Sequence, residues 1–270
     1  MNHQNTNKRA LDATYQPFFV RDGDLSKGVI LTCDHASNHV PAHYNSLGLP
    51  AAAFERHIAY DIGVRDLTYM LCERLNISAV LSNFSRLLID PNRGEDDPTL
   101  IMKISDGQPV PHNVHMSEDD RQMRLDQFHR PYHRAITSQL DRAIEGGKPP
   151  VILSLHSFTP IWRGVQRPWE AAVLWDNDPR FALPFLQNLR DATGLTVGDN
   201  EPYTGRLKGD ALHTHGTSRG LAHCLLEIRQ DLLTNKQAIE EWCEYIINAL
   251  EASLQAEDLY EIKQFGSQAK

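Results

Sequence analysis

The chain has 270 residues, of which 41% are hydrophobic and 23% charged, the composition of ordinary globular material and length enough for one large domain. Its formal net charge of −8 argues against nucleic acid or an anionic membrane as main partner, and no apolar stretch approaches membrane-spanning length. Cys33, Cys72, Cys224 and Cys243 show no C-x-x-C spacing, which argues against a zinc ribbon or a redox dithiol. Such scattered cysteines, behind a polar N-terminus without a signal-peptide core, predict a cytoplasmic protein.

Residues 1–27 read as a loosely held arm ending in a turn at Arg21–Asp24. Val29, Ile30 and Leu31 then form a short apolar run, the pattern of a strand buried on both faces of a parallel sheet. Pro50 opens a helical pattern that runs to about Leu75, with an interruption near Gly63. Ser78–Leu81 and Arg86–Asp90 read as short strands. Residues 94–116 lack periodicity, and two readings stand, a lid or a surface excursion carrying a short hairpin. Ser117, followed by three acids, caps a helix that should reach Ile144 and stop at Gly146-Gly147, with a kink at Pro131.

Further on, 151–155, 171–175 and 224–228 read as strands, 180–193 as a helix and 236–254 as an amphipathic closing helix. Strands alternating with helices predict a three-layer α/β/α sandwich with a largely parallel or mixed central sheet. The expected division is a single catalytic α/β domain over 28–260, with the arm before it and a tail over 261–270.

Two apolar strands each deliver a histidine at their carboxyl ends, where open α/β sheets bind ligands: His35 in CDHASNHVP and His156 in LHSF. They are the first candidates for metal ligands. A catalytic zinc needs three protein ligands and an open position. Asp61 is the third candidate, four residues after His57 and on the same helical face if the helix is continuous. The competing reading makes Asp61 the N-cap of a helix beginning at Ile62. Glu227 ends an apolar strand and shares a face with Arg229, so it must be paired, protonated or working as a general base. Arg86, Asn92 and Arg93 suit anion recognition. Tyr203, His213 and His215 lie in a polar stretch that could close over substrate or form an ordinary ordered loop.

CDHASNHVP, HIAYDIG, SRLLIDPNR, FHRPYH, LHSF and RGLAHCLLEIRQDLL, in this order along nearly the whole chain, resemble the N-formylglutamate amidohydrolase family. That family is similar to zinc carboxypeptidases and to aspartoacylase. The resemblance implies a hydrolase-like fold and one zinc ion held by His35 and His156. It further implies Glu227 as base, Arg86 polarising the scissile carbonyl, and Asn92 with Arg93 holding a substrate carboxylate. One departure stands out: three residues after His35 the chain has Asn38 where the relatives have a glutamate ligand, so the third position lies between Asp61, Asn38 and water. The implied activity is metal-assisted hydrolysis of the amide of an N-formyl or other N-acyl amino acid, a small acidic substrate. The alternatives are an amidase or peptidase acting on another acyl-amino acid or a cell-wall fragment, and a non-catalytic binder of a small acid.

Overall fold

The computed structural model describes residues 15–269. Seven strands form one mixed sheet: β1 (Phe18–Arg21), β2 (Val29–Cys33), β3 (Ser78–Ser82), β4 (Val151–Phe158), β5 (Ala171–Leu174), β6 (Val197–Asp199) and β7 (His223–Arg229), in spatial order β1-β3-β2-β4-β7-β5-β6. β1 and β5 run antiparallel to β3 and β7; the other pairings are parallel. Four long helices flank the sheet: α1 (Val64–Leu75), α2 (Arg130–Glu145), α3 (Pro179–Thr193) and α4 (Lys236–Ser253).

Successive strand side chains point to opposite faces, and here both faces are apolar. Val29, Leu31, Leu153 and Leu226 pack with Leu67, Phe185 and Trp242 from α1, α3 and α4. Ile30, Ile152 and Leu225 pack on the other side with Tyr132 and Ile136 from α2. The three-layer α/β sandwich expected from the alternation is therefore present. β2 continues through α1 to β3 on one side, and the chain returns through α2 to β4 on the other. This reversal makes the carboxyl ends of β2 and β4 a topological switch point, where such sheets hold ligands.

The structure departs from the sequence reading in several places. Part of the expected N-terminal arm, residues 1–14, lies outside the described residues, and Phe18–Arg21 is an edge strand. Arg86–Asp90 is a turn, not a strand. The Ser85 hydroxyl accepts from Leu87 N, and Leu88 N bonds back to Ser85 O. Leu87, Leu88 and Ile89 are all fully buried in that turn, which is why the run reads as a strand. The long helix from Pro50 is not continuous: a 3-10 turn over Ala51–Glu55 is followed by irregular chain, and α1 starts after Gly63. Gly63 has φ +84°, the left-handed region that only glycine enters without strain, and it packs against Leu233.

Residues 104–109 form a small hairpin within the irregular 94–116 stretch. The helix beginning after Ser117 does not kink at Pro131, which occupies the first turn of α2. It widens instead at a π turn, Leu125–His129, between Glu118–Arg124 and α2. Among the described residues no helix is long and apolar enough to cross a membrane.

Candidate active site

β2 ends at Cys33, so Asp34 and His35 emerge at the switch point. β4 runs four residues beyond its last pairing with β2, and His156 lies in that extension. Glu227 on β7 is in direct register with His156. The segment carrying Asp61 is laid alongside by two backbone ties, Asp61 N to His35 O and Arg86 N to Ala59 O, with Ser85 Oγ donating to the same carbonyl. Strand ends, one turn and one irregular segment thus converge.

His35 Nε2 donates to Asp90 Oδ1 at 2.7 Å, and His156 Nε2 donates to Asp34 Oδ2 at 2.9 Å. The opposite ring nitrogens turn to one atom: Asp61 Oδ2 lies 3.3 Å from His35 Nδ1 and 3.0 Å from His156 Nδ1, and also accepts from Ser157 N. Among the described residues, His35, Asp61 and His156 are a buried group whose ligand atoms all lie within 4.8 Å of one another and that could hold a metal ion. The donor set fits a divalent cation. Ligands bound tetrahedrally at ~2.0–2.1 Å lie about 3.3 Å apart, close to the two spacings that Asp61 Oδ2 makes with the imidazoles. A histidine ligand whose far nitrogen is fixed by a carboxylate is the usual support for such a site. Three carboxyls, from Asp61, Asp90 and Glu227, face the Arg86 guanidinium, an excess of negative charge that favours a cation.

The electrostatics separate these carboxyls. Burial alone would raise Asp90, but Arg86, with Nη2 2.9 Å from Oδ2, and His35 hold it well below the usual carboxylate range. Asp61 is likewise held low against its burial by His35 and His156. Glu227 goes the other way. Burial pushes its carboxyl up to about 7, with His156 opposing and Asp61 adding to the rise, and its Oε2 is buried without a hydrogen-bond partner among the described residues.

These residues open onto a cavity of about 500 Å3, lined also by His57, Asn92, Arg93, Tyr203 and Asp210. A family model described as N-formylglutamate amidohydrolase matches residues 27–234, most of the chain. The protein belongs to the N-formylglutamate amidohydrolase family. It is similar to a gene product of Agrobacterium tumefaciens whose crystal structure is 30% identical, with a TM-score of 0.80 over 88% of this chain and 96% of that one. It also shares its fold with N-formylglutamate amidohydrolase from Ralstonia eutropha, at 20% identity and a TM-score of 0.67, over 89% of this chain and 99% of that one. Comparison with curated protein sequences gives no match. Membership in this amidohydrolase family makes the protein a hydrolase.

The remaining candidates fall on both sides of the cavity wall. Asn92 Oδ1 accepts from Ala211 N, which leaves its amide donors as the end that can address a ligand. Arg93 lines the cavity, tethered by Thr99 Oγ1 and Asn92 O. Asn38 does not approach the metal-ligating group; its Nδ2 donates to Phe54 O. Asp61 reaches the group, but neither route read from the sequence explains it: no helix joins it to His57, and the cap position before α1 is Gly63. His215 does not line the cavity. It is buried at the end of a short helix, Ala211–His215, with Nε2 2.8 Å from His133 Nδ1. His213 also lies off the cavity.

His129 and His133, the two histidines of FHRPYH, stand four apart on one helical run. His133 Nε2 donates to Pro91 O and His129 Nε2 to Arg93 O, each at 2.9 Å, so together they fix the backbone on both sides of Asn92. Because His133 Nε2 carries the proton given to Pro91 O, its Nδ1 accepts, and His215 Nε2 donates. Burial lowers His133 to about 3 and His215 to about 4 from an ordinary 6.5; the neighbouring histidines add to the first shift, and Asp34 opposes the second. Below pH ~6.5 the unfolded chain therefore binds protons that the folded chain refuses. Folding stability should be fully present above that value and fall as the pH drops toward 4, by up to ~1.4 kcal/mol per pH unit for each histidine. Chemical denaturation of wild type and His215→Gln between pH 6.5 and 4.5 checks this. The variant should show the shallower slope; parallel curves would assign the acid sensitivity elsewhere.

Proposed function

We propose that the protein is a zinc-dependent amidohydrolase that cleaves N-formyl or other N-acyl amino acids bearing a free acid, with N-formylglutamate as the model substrate. The observation that supports this reading most is the convergence of His35 Nδ1, Asp61 Oδ2 and His156 Nδ1 beside a glutamate whose Oε2 has no partner among the described residues. A zinc ion held by those three residues would supply Lewis acidity for the scissile carbonyl and acidify water toward a pKa of ~7.

The chain's own groups complete the reaction. Glu227, poised near neutrality, takes the proton of the attacking water and delivers it to the departing amine, the ordinary double duty of a general base and acid. Arg86 keeps its charge because Asp90 and Asp61 outweigh its burial, and it donates to the oxygen on which negative charge develops. Asn92 and Arg93 hold a substrate carboxylate, on a segment whose carbonyls His129 and His133 clamp. Cys33, Cys72, Cys224 and Cys243 are free and buried, which supports the reducing cytoplasm as its compartment.

Metal analysis of the purified protein, coupled to hydrolysis of N-formyl and N-acetyl amino acids, tests the reading; a metal-free protein that turns over none of them would sink it. The Arg93 assignment predicts its own cycle. Amidating the carboxylate that Arg93 holds should remove a charge-assisted contact of ~2–5 kcal/mol, about thirtyfold or more in kcat/KM. Arg93→Ala should show the same loss on the acid and little further loss on the amide, because both changes delete one interaction. Additive losses would make Arg93 a structural residue.

A further inference from the structure

Arg167 is 6% exposed, and none of the ion pairs among the described residues includes it. Its guanidinium is enclosed by aromatic rings instead, 4.8 Å from the centroid of Tyr203, 5.3 Å from Phe158 and 5.6 Å from Trp162. Nη2 donates to the Tyr203 hydroxyl at 2.6 Å, and Nη1 is buried without a hydrogen-bond partner among the described residues. Three separate stretches build this cage: the end of β4 supplies Phe158, the hairpin after it Trp162, and the loop after β6 Tyr203. Arg167 closes the foot of the hairpin through its own N–H to Pro160 O.

A guanidinium does not lose its proton in a protein, and burying one without an anion is unfavourable even when cation–π contacts offset part of the loss. Phe158, Trp162 and Tyr203 all line the cavity that holds His35, His156 and Glu227. An unpaired buried cation behind the wall of a cavity gives that wall a lasting preference for anions. Tyr203 carries the preference to the surface. Its oxygen accepts from Arg167, so its own O–H proton is free to point at a ligand, and the residue is 42% exposed. Burial and the Glu227 carboxylate both hold the phenol protonated, so the donor persists at neutral pH.

We propose that Arg167, acting through the Tyr203 hydroxyl, reads the side-chain carboxylate of the substrate and thereby selects acidic over neutral N-acyl amino acids. The assignment rests on the amidohydrolase reading above and goes one step past it: Asn92 and Arg93 address one acid of a dicarboxylate, and Tyr203 with Arg167 the other. Arg167 is a specificity residue that need not touch the substrate. The arrangement also accounts for the aromatic enclosure, which keeps water from screening the charge.

The test compares N-formyl-L-glutamate with N-formyl-L-glutamine, which differ only in that carboxylate. Wild type should favour the acid by about tenfold or more in kcat/KM, the usual worth of a charge-assisted hydrogen bond. Arg167→Gln should collapse the ratio toward one through KM, with N-formyl-L-glutamine turnover within about threefold of wild type. Tyr203→Phe should collapse it partly, and Arg167→Lys should restore part of it. An unchanged ratio in Arg167→Gln, or equal loss on both substrates, would make Arg167 a scaffold of the hairpin and overturn the proposal. Calorimetric binding of L-glutamate and L-glutamine, the same pair without the acyl group, separates this outcome from failure of the hydrolase reading. If wild type turns over no N-acyl amino acid yet binds L-glutamate preferentially and Arg167→Gln abolishes that preference, the anion reader stands and the reaction assignment falls.

Discussion

Glu227→Gln is expected to lower kcat by about 10²–10⁴-fold while metal content and KM stay near the wild-type values. Glutamine keeps the shape of the side chain and one acceptor oxygen but cannot take the proton of the attacking water. Local conditions make the substitution mild for the fold. The Glu227 carboxyl is already pushed toward its neutral form by burial, and its Oε2 has no bond to lose among the described residues. Loss of rate without loss of stability, followed by steady-state kinetics and thermal melting, is therefore the signature. A variant retaining near-normal kcat would move the base elsewhere; His57, which lines the cavity with Nε2 3.9 Å from Asp106, would be the next group to test.

Removing the metal should abolish activity, and zinc should restore it. Asp61→Ala and His156→Ala should each lower metal affinity by well over tenfold, because each deletes one of three converging ligand atoms. Asp34→Asn and Asp90→Asn are expected to cost about 10–100-fold, the usual loss when the group orienting a ligating imidazole is weakened. The two carboxylates act on different rings, Asp34 on His156 and Asp90 on His35, so their effects should multiply. Metal titration with a competing chelator measures all four. Full occupancy in His156→Ala would show that the ion binds elsewhere.

Much of the site could be read from the sequence because three strands announce it. β2, β4 and β7 are apolar runs ending in Asp34-His35, His156-Ser157 and Glu227, and parallel pairing puts such ends together. Residues held by turns were less legible. Leu87, Leu88 and Ile89 are as buried as any strand, so Arg86–Asp90 reads as a strand where the structure has a turn. Asp61 meets His35 and His156 although no continuous helix carries it there; two hydrogen bonds across the chain, invisible to local periodicity, do so. His215 looked like a loop residue facing substrate, whereas its ring stacks on His133. β1 and β6, four and three residues long at the sheet edges, are too short to carry a pattern. Arg167 had no signal at all, since an arginine after a hairpin of exposed residues reads as a surface charge.

The π turn at Leu125–His129 has a bearing on how this helix could change over time. Arg124 donates to Leu88 O, His129 to Arg93 O and His133 to Pro91 O, so three side chains of one helical run grip a single six-residue stretch. In regular α winding, five residues overshoot one turn by about 140°, which would put Arg124 and His129 on different faces. The wider turn absorbs the surplus residue and brings them into line. A one-residue deletion there would give a more regular helix, at least as good by intrinsic propensity, with its grip on the Asn92 segment undone. The register of this grip therefore depends on the number of residues in the bulge more than on which residues they are.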